Sequence, residues 1–242
     1  NYEMWLGSTP YAKYTEHRVH SQKGVLAARP GWLRCEQFGA GMITGWGAHH
    51  FDIVNWGLGT EYTGPSEISC QEVIWPSKDS FWDVHRPFKT ETVFANGVKV
   101  LASDEYTNGI KFVGSEGWIF VTRGNYKVTA TDPETNNKNS KALDASDPKI
   151  LTSEIGPNEI HLVVSEDHHS NWLDSVISRQ PPVAPIEPGH RACSICLLNH
   201  AAMKLRRKLY WDPVREQFKN DDEANAMLSR PQRWPWQMDM TY

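Results

Sequence analysis

Between Glu67 and Thr131 the chain passes through short runs rich in β-forming residues, at 68–75, 89–95, 98–103, 110–113, 117–121 and 126–131. Asn96-Gly97, Asn108-Gly109 and Gly124-Asn125 separate several of them. These pairs suit tight hairpin turns, because glycine lacks the Cβ that disfavours left-handed backbone and asparagine tolerates it. Strands joined by such turns run antiparallel, whereas parallel neighbours need a crossover of roughly a dozen residues or more. An antiparallel sheet is therefore the constraint around which the rest of the chain must fold.

The flanking segments supply the other layer. Residues 1–38 read as irregular, punctuated by Pro10, Gly24, Pro30 and Gly31. Segment 45–58 predicts a helix, with Thr44 as N-cap and Gly59 as its stop. Residues 132–160 are polar and predict a long surface excursion. Two helices follow: 165–178, with Trp172, Leu173, Val176 and Ile177 as its apolar face, and 188–209, which opens on Pro188 and carries Ile195, Leu198, Ala202 and Leu205. The tail from Tyr210 holds Trp211, Pro213, Trp234, Pro235 and Trp236 and is expected to wrap the surface. The sum is an α+β fold: an open, mostly antiparallel β-sheet with helices packed on one face. Its other face is available for oligomerisation, so a homo-oligomer is expected. The 242 residues can bury one substantial core, and 1–242 is taken as a single domain.

Composition narrows the partners. A net charge of −4 provides no field for nucleic acid, and the basic cluster Arg206-Arg207-Lys208 reads as a solvated helix end. No apolar stretch approaches a membrane span, so neither nucleic acid nor membrane is expected as a partner. The first residues, Asn-Tyr-Glu-Met-Trp, lack an initiator Met, so the chain reads as a fragment or a processed form. Cys193 and Cys196 form a C-x-x-C, but the sequence around them is that of a helix interior, and they read as buried core thiols. The chain has 11 tryptophans, which stack on sugar faces or fill cores equally well.

No G-x-G-x-x-G follows a strand, and neither a P-loop nor a G-x-S-x-G elbow is present. Among the ten histidines, the pairs His49/His50 and His168/His169 and the single residues at 20, 85, 161, 190 and 200 are then the main candidates for chemistry. Neighbouring histidines on a helix diverge by about 100°, so no metal site is predicted at either pair. His168 and His169 follow Glu166-Asp167 at a helix start, where polar residues are ordinary. A helical projection puts His49 between Ile53 and Trp56 and His50 between Ile53 and Val54, with Asp52 and Asn55 as a narrow polar wedge. Both imidazoles are thus expected on the packed side. A helix N-terminus and burial both favour neutral imidazole, a competent general base. A buried, hydrogen-bonded structural histidine fits the same residues.

Gly-Met-Ile-Thr-Gly-Trp-Gly-Ala-His-His-Phe-Asp, residues 41–52, resembles the substrate-side motif of the glucose–fructose oxidoreductase/inositol dehydrogenase superfamily (Gfo/Idh/MocA). Met4-Trp-Leu-Gly and Arg18-Val-His20 resemble that family's entry to its second domain, and Phe112-Val-Gly-Ser-Glu-Gly-Trp118 its sheet segment. Leu209-Tyr-Trp-Asp-Pro213, Asp222-Glu-Ala-Asn225 and the stretch from Arg230-Pro to Pro235-Trp236 resemble the C-terminal signature of a bacterial branch.

The resemblance implies an N-terminal Rossmann domain that binds NAD or NADP and carries a catalytic Lys, followed by a substrate domain with an open antiparallel sheet. This chain resembles the second domain only, so it is expected to bind no cofactor alone and to be inactive in isolation. The family's acid/base His falls on His49. Trp46, His50, Arg18, His20, Trp32 and Arg34 would line the side facing a sugar or glycoside. The family's Asp, four residues before that His, falls on Gly45. An Asp there would fix the imidazole and raise its basicity. Three accounts stay open: another side chain supplies the polarity (His50, Arg18, His20 or Arg34), Gly45 makes room for a bulkier substrate, or the site only binds. A carbohydrate-binding scaffold, and lyase or glycosidase-like chemistry through a keto-sugar, remain the alternatives to oxidoreduction. Location stays open: the resemblance suggests the periplasm, and the cytoplasm is the alternative.

Overall fold

A computed structural model describes residues 1–20, 31–122 and 142–238. The first part holds α1 (Tyr2–Leu6), α2 (Glu16–Val19), a 3-10 turn at Gly31–Arg34, α3 (Met42–Gly45) and α4 (Gly47–Leu58). Six strands follow: β1 (Glu67–Ile74), β2 (Arg86–Val93), β3 (Lys99–Ser103), β4 (Ile110–Val113), β5 (Trp118–Val121) and β6 (Leu143–Ala145). Then come α5 (Pro148–Leu151), α6 (His168–Ser178), α7 (Ile186–Leu205), β7 (Leu209–Asp212), β8 (Gln217–Phe218) and α8 (Asp222–Asn225).

The strands make a five-stranded sheet in the order β3-β2-β1-β7-β8 and a three-stranded sheet in the order β4-β5-β6. Every pairing among the described strands is antiparallel. The turn expected at Asn96-Gly97 closes the β2–β3 hairpin: Gly97 takes φ +84°, and Phe94 N–H donates to the Val98 carbonyl at 2.9 Å. Asn108-Gly109 does something else. It lies between β3 and β4, which belong to different sheets, so this pair ends one sheet and starts the next instead of making a hairpin. The run expected at 126–131 and the turn at Gly124-Asn125 lie outside the described residues. Within the expected polar excursion, 143–145 pairs with β5 and Asp147 caps α5 by accepting from Lys149 N–H at 2.9 Å.

The helical layer is centred on α7. Ile195, Cys196 and Met203 pack among Ala40, Ile43, Phe51 and Phe88. Leu198, Ala201 and Ala202 pack with Ile68, Leu209 and Trp211. On β2 the alternation is clean: Phe88, Thr90 and Thr92 are buried under the helices, while Lys89, Glu91 and Val93 belong to the other face. Thr92 can be buried because Asn199 of α7 reaches it: the amide Nδ2 donates to Thr92 Oγ1 at 3.1 Å and to the Ile195 carbonyl at 2.8 Å. Asn199→Leu leaves the Thr92 hydroxyl buried without its partner. We expect a loss of about 1–3 kcal/mol, measured as a lower urea midpoint at unchanged m-value.

Several expectations need correction. Leu209, Tyr210 and Trp211 belong to β7, not to a helix end and a tail, and the in-out-in burial of these three is the period of a strand. The later tail does fold back: Arg233 N–H donates to the Ser8 carbonyl at 2.9 Å, and its guanidinium holds the Gly7 carbonyl at 2.8 Å and the Glu3 carboxylate. Arg206 ends α7 in the left-handed conformation, but Arg207 pairs with Asp221 and Glu223 and Lys208 with Glu67 at 2.7 Å, so the basic cluster is largely ion-paired. Of the two thiols, Cys196 is buried and Cys193 is exposed. On α6, which Asp167 caps by accepting from Ser170 N–H, the apolar stripe faces outward, with Trp172 62% and Ile177 81% exposed. Periodicity shows which side of a helix seeks cover but not what supplies it.

Candidate functional site

The glycine-rich stretch is shaped by what lies beneath it. Gly41 takes φ +76°, and a Cβ there would stand 2.3 Å from Val84 Cγ1, so the turn is pressed against the 82–85 loop. From that turn α3 rises, and Trp46 interrupts the helix before α4 begins; the ladder resumes with His50 N–H on the Trp46 carbonyl at 3.1 Å. Thr44 does not cap α4. Its hydroxyl donates to the Gly41 carbonyl at 3.0 Å within α3, and Trp46 occupies the cap position without a side-chain capping hydrogen bond. Gly59 ends α4 at φ +65°, as expected.

α4 buries Phe51, Val54 and Asn55. Asn55, expected in a polar wedge, lies in the interior, where Thr60 Oγ1 donates to its Oδ1 at 3.0 Å. The opposite face carries His49, Asp52 and Trp56, all exposed, while His50 is half-buried. The expectation that both imidazoles face the packed side is thus overturned. Apolar residues are spread almost around this helix, and the stripe Phe51–Val54–Leu58 takes the core in place of Ile53–Trp56. The Trp46 indole sits 5.4 Å from the rings of both His49 and His50. An exposed imidazole beside an indole can exchange a proton with a hydroxyl while the indole covers an apolar sugar face.

A second polar group is hidden below. His85, 6% exposed, packs against Trp75 and Phe88, and neither of its ring nitrogens has a hydrogen-bond partner. Desolvation first, and His200 second, push it down to about 4. His200 meets Glu36 Oε1 at 3.1 Å, and Lys204 Nζ meets Glu36 Oε2 at 2.8 Å while lying over the Trp75 ring. Burial alone would raise the Glu36 carboxyl, but hydrogen bonds from His200 and Lys204 hold it down at about 2. This cluster ties α7 to the loop that leads into the glycine turn.

Over residues 1–153 and 159–238 the chain matches the model described as "Oxidoreductase family, C-terminal alpha/beta domain", of the Gfo/Idh/MocA group. The chain belongs to this family. No curated protein matches it. Among solved structures it is similar to an NAD-binding protein from Listeria innocua (16% identity, 80% of this chain and 57% of that one, TM-score 0.48). It is also similar to an aldose-aldose oxidoreductase from Caulobacter crescentus complexed with glycerol (13% identity, 74% and 50%, TM-score 0.48). The chain therefore spans about half the length of these structures.

In this Gfo/Idh/MocA domain the other expected site residues stand on α2, at its end, and on the 3-10 turn at Gly31–Arg34. The Arg18 guanidinium lies 5.6 Å from the Phe38 ring and 5.0 Å from the Phe81 ring, and donates to the Lys13 carbonyl at 2.6 Å. His20 Nε2 meets Tyr14 Oη at 3.1 Å. Trp32 and Arg34 sit on the 3-10 turn, where the Arg34 carbonyl accepts from Asp83 and Val84. Among the described residues every strand pairing is antiparallel, so none forms the parallel strand–helix turn of a Rossmann-type pyrophosphate seat. Among the described residues no group of three or more His, Cys, Asp or Glu is placed to hold a metal ion, and no helix is long and apolar enough to cross a membrane.

Proposed function

We propose that this chain is the substrate-facing domain of an NAD(P)-dependent oxidoreductase acting on a hydroxyl of a sugar or glycoside, with His49 taking the hydroxyl proton. The observation that carries the reading is the exposed His49 imidazole, set against Trp46 on the outer face of α4 in a domain of an oxidoreductase family. A nucleotide would be held by another part of the full-length protein, and no step through it is derived from these residues. Within this chain, His49 moves the proton and Trp46 stacks on the sugar ring. His50, Arg18, His20, Trp32 and Arg34 form the polar and aromatic surroundings of the substrate. The outer face of β1–β3, which carries Lys89, Glu91 and Leu101, is the surface proposed for a homo-oligomer.

Full-length protein given NAD or NADP and a panel of aldoses and glycosides is expected to develop reduced-nicotinamide absorbance with at least one of them. The isolated chain is expected to give none. Gly45 favours one competing reading, a domain that binds sugar without turning it over. Calorimetric sugar binding by the full-length protein, with no absorbance change, would decide for it.

A further inference from the structure

The connection from β1 to β2, residues 76–85, lies as a strap across the segment that leads into the glycine turn. Ser77, Lys78, Asp79 and Phe81 are exposed, while Val84 and His85 at its end are buried. Two glycines let it come this close. A Cβ on Gly31 would stand 2.4 Å from the Trp82 ring, and one on Gly41 would stand 2.3 Å from Val84 Cγ1 and 3.7 Å from His85 Nε2. The polar ties are few. Asp83 and Val84 N–H donate to the Arg34 carbonyl at 3.1 and 3.2 Å, Glu36 N–H donates to Asp83 Oδ1 at 2.6 Å, and the buried Cys35 thiol donates to the Phe81 carbonyl at 3.6 Å.

His85 anchors the strap from below. Its ring lies 5.5 Å from Trp75, 5.0 Å from Phe88 and 6.2 Å from His200, with no hydrogen bond at either nitrogen. A proton there creates a buried charge with no acceptor in contact and a second imidazole beside it. Charged groups act on it from His200 on α7, Glu36 ahead of the glycine turn and Asp104 after β3, while Arg86, next along β2, is exposed. Both carboxylates are already engaged: Glu36 with His200 and Lys204, Asp104 with the Phe88 N–H at 2.9 Å. Desolvation outweighs their pull. Water can solvate the imidazolium, and the exposed strap is the element that can carry it there.

We propose that residues 76–85 form an acid-released strap with His85 as its latch. Neutral His85 keeps the strap seated on Gly31 and Gly41; its protonation lets the strap swing into solvent while α4, α7 and the sheet stay packed. Release takes the Phe81 ring off the Arg18 guanidinium, 5.0 Å away, and uncovers Cys35. In acid this opens the Arg18 side of the substrate surroundings. That consequence alone rests on the proposed function, and the strap itself can be tested without a substrate.

The cysteines supply the readout. Full-length protein is labelled with N-ethylmaleimide at pH 7 and at pH 5, and each site is followed by peptide mass spectrometry. Exposed Cys193 sets the reference rate, which cancels the common loss of thiolate in acid, and buried Cys196 reports unfolding of the whole domain. The Cys35:Cys193 rate ratio is expected to rise about 20-fold from pH 7 to pH 5, the shift for a group that binds its proton near 6.5 when released and about 4 when latched. The Cys196:Cys193 ratio should not follow. In His85→Phe the Cys35 ratio should stay within about twofold, because the latch no longer titrates. A flat Cys35 ratio in the parent overturns the strap, and a rise that persists in His85→Phe overturns the latch. Cys35 and Cys196 rising together in the parent also overturns the proposal, since the whole domain then opens, and that comparison needs no variant.

Discussion

His49→Ala in the full-length protein is expected to lower kcat by roughly 10²–10⁴-fold, the range for removing a positioned acid/base group. That corresponds to about 3–5 kcal/mol of barrier, more than an accessory substrate contact would supply. Because His49 is exposed and outside the core cluster around Phe51 and Ile195, the substitution should leave stability within about 0.5 kcal/mol. Activity and folding are thus separable in one variant. Steady-state kinetics with a thermal melt check both, and His50→Ala is the comparison. His50 also touches Trp46 but is half-buried, so its loss should raise KM more than it lowers kcat. Turnover of His49→Ala within tenfold of the parent, at an unchanged melting temperature, would remove the imidazole from the chemistry.

What was legible in the sequence is what is decided locally. The β2–β3 hairpin follows from Asn96-Gly97, because a left-handed turn and the strands beside it are set within a few residues. The Gly59 stop is local in the same way. Asn108-Gly109 has the same chemistry yet joins two sheets, since sheet membership depends on what β3 and β4 meet far along the chain. The orientation of α4 was lost for a related reason: with Ile53 and Trp56 on one side and Phe51, Val54 and Leu58 on another, the pattern names two candidate faces. Only α7, arriving with Ile195 and Cys196, selects between them. Asn55 argued for the wrong side because Thr60, which makes its burial tolerable, is not recognisable as its partner from sequence. The His85–His200–Glu36 cluster had no local signal, since its members stand in three distant parts of the chain.

That cluster carries the largest expected effect on stability. His85 has an ordinary value near 6.5 when unfolded and about 4 when folded, so the folded state disfavours its proton. The unfolded chain binds the proton first as pH falls. Stability is therefore intact above 6.5, declines between 6.5 and 4, and is not further reduced by this residue below 4. The interval amounts to about 3 kcal/mol, most of it already lost at pH 4. Glu36 acts in a lower window: held down at about 2 against 4.5, it withdraws its contribution between 4.5 and 2, so the two residues separate on the pH axis. His200 opposes the charge on His85, while the Ala40 backbone nearby, Asp104 and Glu36 favour it too weakly to offset desolvation. His85→Phe keeps a flat ring between Trp75 and Phe88 and removes both unpaired nitrogens. Urea unfolding of the two proteins from pH 7 to pH 4 should give curves that diverge below 6.5, the variant staying nearly level where the parent falls. Parallel curves across that range would mean that His85 takes up its proton in the fold as easily as in water, and that the ring is not sealed beneath the glycine turn.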